Sequence, residues 1–184
     1  MAQIKGTALR GLLKHAKEGG HPGGIPGLLS ELPPAAREVF DRRILASGWY
    51  PYLAYAELLN ALTARASDRG TFLHQLGREL AKQDAGTTFK VVALFASVET
   101  MLQRSSLFWT RHCDTGTFET IDVQKGSGAG VLRDFPDVSP LHCTLLGGWI
   151  ESMAETAGAS KATTEKVRCV HRGDAWCEYR GSWL

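Results

Sequence analysis

VRCVHRGDAWCEYRGSW, residues 167–183, closes the chain, and its reading decides the fold. Two runs, Val167–His171 and Trp176–Trp183, are rich in valine, tryptophan and tyrosine. Between them stands Arg172-Gly173-Asp174, a turn sequence, and the whole predicts an antiparallel hairpin. Symmetry about Gly173 sets Cys169 across from Cys177, with Cβ atoms about 4.5–5.5 Å apart. Alternation adds Val167, His171, Tyr179 and Trp183 to the same face.

Upstream, Leu141–Ala157 reads as one helix with Leu145, Trp149 and Met153 turned inward, joined by Leu146 and Ile150, and Gly158 ends it. Leu107–His112, Phe118–Val123 and Val131–Phe135 read as strands separated by the turns Asp114-Thr115-Gly116 and Gly126–Gly130. Before about Ser105 the period is helical. Thr7 caps a short helix carrying Leu9, Leu12 and Leu13. GGHPGGIPG, residues 19–27, is read as a flexible connector, and it lacks the Lys-Ser/Thr ending of a phosphate loop. A helix runs from Pro33-Pro34 to about Leu45. Three further runs are Tyr55, Leu58, Leu59, Leu62; Phe72, Leu73, Leu76, Leu80; and Val91, Val92, Phe95, Val98, Leu102. Strands paired in sequence beside segregated helices predict an α+β domain with an antiparallel sheet. The expectation is one domain over 1–184, helical over 1–104 and α+β over 105–184.

Composition sets the outer limits. The chain has 184 residues, 43% hydrophobic and 22% charged, with a formal charge of +2. That is ordinary globular usage with length enough for a core. The basic residues are scattered, so no nucleic-acid partner is expected. No apolar run approaches the roughly 20 residues of a membrane span, and Met1–Leu13 lacks the apolar stretch of a signal peptide. A cytoplasmic setting follows, in which the four cysteines are thiols or metal ligands.

Cys143 lies in the first turn of the long helix, and a helix packed on the sheet can present it to Cys169 and Cys177. Three thiolates and one more ligand make a tetrahedral zinc site. Glu165, His142, His171 and Cys113 are candidates for the fourth ligand, with Glu165 preferred. The other reading is that cysteine packs as a small hydrophobe. No dinucleotide fingerprint and no G-x-S-x-G elbow occur. Cys113 beside His112 cannot form a dyad if both lie on one strand, because neighbours point to opposite faces. Enzymatic activity is not expected.

Cys143, Glu165 and the Cys169–Tyr179 segment, with Gly147-Gly148-Trp149 on the helix, resemble the 4-vinyl reductase domain from about Ser105 to the end. That resemblance implies structural zinc on Cys143, Cys169, Cys177 and a glutamate. Here Lys166, Val167 and Arg168 stand where the family's glutamate belongs. More broadly, the chain resembles the superfamily that joins these domains to haem nitric-oxide-binding domains and vesicle-tethering (TRAPP) subunits. Within it the likeness is greatest to an uncharacterised myxobacterial paralogous family. It rests on Lys5-Gly6-Thr7, the Trp-Tyr-Pro element in Ser47–Pro51, Leu76-Gly77-Arg78, Asp114-Thr115-Gly116 and Tyr179…Trp183. Haem domains of this superfamily carry Tyr-x-Ser-x-Arg and a helical proximal histidine. The run is not found, Leu94–Arg104 has no histidine, and His74, the helical histidine of the N-terminal half, reads as a surface or core residue, so zinc is expected as cofactor and haem is not.

Two functions follow. The first is a small-molecule sensor with Phe108, Trp109, His112 and Trp149 as walls for a small apolar or aromatic ligand, signalling through a regulatory protein partner. The second is an adaptor that forms a homodimer through the helical half, with Trp49, Tyr50 and Tyr52 on its surface. A filled interior would count against sensing.

Overall fold

The computed structural model describes residues 1–87 and 97–184. Val91, Val92 and Phe95 of the third helical run therefore lie outside the described residues. Two short strands, β1 (Gln3–Lys5) and β2 (Trp49–Pro51), pair antiparallel and pin the first helix, α1 (Gly6–His15), to the loop before residue 49. Three-residue strands carry no readable alternation, which is why the sequence does not show them. Helix α1 starts one residue before Thr7 and has no side-chain cap, and Gly6 instead donates its N–H to the Gly48 carbonyl. A Cβ on Gly6 would overlap the Leu45 carbonyl oxygen, so only glycine allows this approach.

The glycine-rich stretch is ordered. It forms α2 (Gly24–Ser30), and His21 is buried against Glu31 and Arg65. The helix expected from Pro33 to Leu45 is only α3 (Pro34–Arg37) with a 3-10 turn to Phe40. Then come α4 (Tyr52–Thr63) and α5 (Arg69–Thr87). After residue 96 follow α6 (Val98–Gln103) and α7 (Ser105–His112), and later the long α8 (Pro140–Thr156), capped by Ser139.

Residues Leu107–His112 thus form a helix and not a strand. Phe108, Trp109 and His112 all turn inward at helical spacing, while Leu107 stays 58% exposed. A strand would have sent Trp109 to the face opposite Phe108 and His112. Burial of three large rings outweighs the β preference of Phe, Trp and Thr.

The sheet is antiparallel, in the order β3 (Thr117–Gln124), β4 (Ser127–Arg133), β6 (Cys177–Trp183), β5 (Ala162–Arg168). The architecture is α+β, with the helical half packed on this sheet and a closing hairpin of β5 and β6. The hairpin begins five residues earlier than expected, and a bulge at Val167 shifts the register from Lys166↔Tyr179 to Arg168↔Glu178. Continuing that register sets Cys169 opposite Cys177.

Helices α5 and α8 cross with almost no space between them. A Cβ on Gly77 would overlap the Leu145 carbonyl oxygen, and one on Gly148 would overlap that of His74. Beside this crossing Glu151, nearly buried, accepts from Arg78 at 2.9 Å and from the Thr164 N–H at 2.7 Å, and lies 3.1 Å from His74. Glu155 accepts from the same arginine at 2.6 Å. One cluster of buried apolar residues runs from Ala2 to Tyr179 and draws on both halves of the chain. Among the described residues, no helix is long and apolar enough to cross a membrane.

Candidate functional site: an aromatic cavity

The interior is not filled. A cavity of about 810 Å³ lies among α1, α5, α7, α8 and the β4–β6 face of the sheet. This is within the size range of small-molecule sites, about 300–1,000 Å³. Its sheet wall combines the small residues Gly128, Ala129, Gly130 and Gly181 with the rings of Phe118, Tyr179 and Trp183. Its helical wall is aromatic. Phe108, Trp109 and His112 come from α7, His142 and Trp149 from α8, and Tyr55 from α4.

The rings hold one another. Trp109 stacks on His142 at 5.9 Å between centroids and 16° between planes. His112 meets Trp149 edge-on at 5.9 Å. The indole N–H of Trp109 donates to the carbonyls of Thr115 and Gly116, which fixes the ring to the Asp114–Gly116 turn. The exposed cations Arg10, Lys14, Lys17 and Lys82 also lie on the lining.

Two histidines of the cavity are shifted in opposite senses. The Nδ1 of His112 lies 3.0 Å from the Phe108 carbonyl, to which it donates, and its Nε2 lies 3.3 Å from the Asp84 carboxylate. Burial pulls the pKa of His112 down, but the Asp84 carboxylate outweighs it, and the net shift is upward. Asp84 also accepts from the Trp149 N–H at 2.9 Å. His142 is buried, at the edge of the cavity. Its pKa falls to about 3, from desolvation first and the nearby charge of His112 second. It is a neutral imidazole at physiological pH. Its Nδ1 lies 2.9 Å from the Tyr52 hydroxyl.

All four residues read from the sequence as cavity walls, Phe108, Trp109, His112 and Trp149, lie on this lining. Sequence reasoning names His142 only as one of four candidates for the fourth metal ligand, behind Glu165, and it misses Tyr52 as its partner. The two are 90 residues apart, and no local pattern joins them. Tyr52 is buried and does not belong to an exposed face with Trp49.

The thiols form a separate cluster outside the cavity lining. Cys143, Cys169 and Cys177 are buried, with Sγ separations of 3.6 Å (Cys143–Cys177) and 3.7 Å (Cys169–Cys177). Glu165 does not join them. It pairs with Arg180 on the outer face of β5 and is exposed. His171 points its Nε2 at the Val138 carbonyl, and Cys113 sits apart at the end of α7, on the cavity.

No family model matches the chain, and no curated protein matches it in sequence. Solved structures do match in shape. An H-NOX protein from S. oneidensis in the Fe(II)NO ligation state superposes with a TM-score of 0.75 at 14% identity, covering 98% of this chain and 99% of that one. The chain has the fold of H-NOX domains. The Fe(II) unliganded H-NOX protein from K. algicida gives a TM-score of 0.72 at 12% identity, over 98% and 96% of the two chains. An oxygen-binding H-NOX domain related to soluble guanylate cyclases gives 0.64 at 12% identity, over 97% and 94%. Of the families that the sequence resembles, the haem nitric-oxide-binding one therefore shares this fold.

This likeness corrects the expected order of cofactors, in which zinc stood ahead of haem. The physical source of the error is local. Leu94–Arg104 has no histidine, and a strand over Leu107–His112 would leave no helical histidine beside it. Folded as a helix, that segment carries His112 to the cavity. Glu165, expected as the fourth zinc ligand, meanwhile faces away from the thiols.

Proposed function

We propose that this chain is a single, non-catalytic sensing domain that holds a hydrophobic small molecule in the aromatic cavity and reports its presence to a protein partner. The observation that carries this reading is the cavity itself. An α+β core of this size could have been packed solid, as protein interiors normally are. Instead a cavity of about 810 Å³ stands open among aromatic side chains of helices and sheet, beside Gly128, Gly130 and Gly181. An adaptor needs no such space.

Haem is the ligand that the H-NOX likeness suggests, and the lining residues fit it. His112 is the residue that would hold the iron. A metal-ligating histidine typically anchors its second ring nitrogen on a carbonyl or carboxylate, as Nδ1 of His112 does on Phe108. Asp84 stands at the other nitrogen, so it competes for His112 and tunes its availability. Phe108, Trp109 and Trp149 supply the apolar surface. The Tyr-x-Ser-x-Arg run is missing, and Arg10, Lys14, Lys17 and Lys82 would meet the carboxylates in its place. When bound, haem would supply an iron centre able to take a diatomic gas. The chain's own part is to bind, to exclude water and to set the charge on His112.

Titration of the purified full chain with hemin tests this. The expected result is saturable one-to-one binding with a histidine-ligated absorption spectrum, which His112→Ala abolishes. Absence of hemin binding would remove haem as the ligand. Failure of any flat aromatic probe to enter the cavity would remove the sensing function.

A further inference from the structure

The tautomer of His142 is set by the fold. The Ser139 backbone N–H donates to the Tyr52 hydroxyl oxygen at 3.0 Å. The hydroxyl's own hydrogen then has one acceptor in reach, Nδ1 of His142 at 2.9 Å. The opposite arrangement, with Nδ1–H donating to the hydroxyl, would leave the buried tyrosine hydrogen without a partner, a costly arrangement. Nδ1 is therefore the acceptor, and in a neutral imidazole the proton is on Nε2.

That Nε2–H has no hydrogen-bond partner among the described residues, although His142 is 6% exposed and lies on the cavity lining. The nitrogen is reachable from the cavity, so a ligand there can supply the missing acceptor. The ring cannot turn to find a partner, because Trp109 stacks on it and Tyr55 meets it edge-on at 5.1 Å. The other ring N–H groups of the helical wall are engaged. His112 is held by Asp84 and Phe108, and the Trp109 and Trp149 N–H groups are donated elsewhere.

We infer that His142 is a specificity-determining donor of the cavity, and that the ligand carries a hydrogen-bond acceptor, of the carbonyl or ether class, which meets Nε2–H. The inference rests on the sensing function proposed above and names the chemistry that the site selects. A ligand with an acceptor at this point satisfies the buried donor. A hydrocarbon of the same shape leaves it unpaired.

The test is a matched pair of flat probes, fluorenone and fluorene, which differ by one carbonyl. Binding to the purified full chain is followed by quenching of tryptophan fluorescence, since Trp109 and Trp149 line the cavity. The ratio of the two affinities is compared between wild type and His142→Phe. The expected result is a fall of about tenfold in preference for fluorenone, with fluorene affinity unchanged. An unchanged ratio, with both probes still bound, overturns the inference and leaves the sensing function intact. If neither probe binds the wild type, the sensing function fails and the inference with it. Nitrogen-15 spectra of the wild-type histidines test the tautomer even if the variant does not fold. Protonated Nε2 with bare Nδ1 is expected for His142, and the reverse overturns the inference.

Discussion

The Cα of Gly148 lies against the backbone carbonyl of His74, where α8 crosses α5, and a Cβ at residue 148 would occupy the oxygen's place. Its neighbour Gly147 faces an easier environment, where a Cβ would meet only the His74 ring edge, at 4.0 Å. The two adjacent glycines therefore make opposite predictions. Gly148→Ala must push two helix backbones apart, at a cost of about 1–3 kcal/mol. Gly147→Ala removes a helix-interior glycine without a clash and gains up to about 1 kcal/mol. Urea unfolding of both variants measures the difference. Equal effects would mean that the helices do not cross through Gly148.

Glu151 ties three elements together. It accepts from Arg78 on α5 and from the Thr164 N–H on β5 while standing on α8. Removal of one partner of a buried pair costs about 3–5 kcal/mol. Arg78 keeps 28% of its side chain exposed, which lowers the expectation for Glu151→Ala to about 2–3 kcal/mol. Glu151→Gln keeps one acceptor for Thr164 and should lose less. Chemical unfolding of the two variants separates charge from shape. If Ala and Gln cost the same, the Thr164 bond contributes nothing.

These clamps also mark how far the sequence can be read. Helices α4, α5 and α8 show in their apolar spacing, because each buries one continuous face. The closing hairpin shows in its turn residues. Residues 107–112 read as a strand because Phe, Trp and Thr favour strands locally, while the burial that makes them a helix is tertiary. The wall residues Phe108, Trp109, His112 and Trp149 can be named because large rings flanking a sheet are natural linings. Glu165 goes astray for a reason of parity. Tyr179 faces inward, so Arg180 and its partner Glu165 face outward, away from the thiols. Tyr52 and His142 cannot be paired in advance, since only the packing of α4 on α8 brings them together.

The Asp84–His112 pair predicts a titration. The folded pKa of His112 lies above the ordinary imidazole value, so its protonated form stabilises the fold. That contribution is fully present below about pH 6.5, the unfolded value, and is lost as pH rises through the folded pKa. Asp84→Asn removes the charge that raises it, leaving burial to pull the pKa down. An NMR titration of His112 should show a clear downward shift in that variant. An unmoved titration would mean that Asp84 is not the controlling charge.

His142 behaves in the opposite sense. Its folded pKa is depressed to about 3, while the unfolded chain takes up this proton near pH 6.5. Between these values the unfolded state binds one more proton than the native state. Stability is therefore intact above about pH 6.5 and falls on acidification, by at most about 1.4 kcal/mol per pH unit from this group, until the native state is itself protonated. His142→Phe removes that proton uptake and leaves the other acid-sensitive groups in place. Urea midpoints measured at pH 7 and pH 5 should converge in the variant relative to wild type, even though its stability at pH 7 is lower for want of the Tyr52 bond. The same slope in both proteins would show His142 to be protonated in the native state, and the donor on Nε2 would then owe nothing to Tyr52.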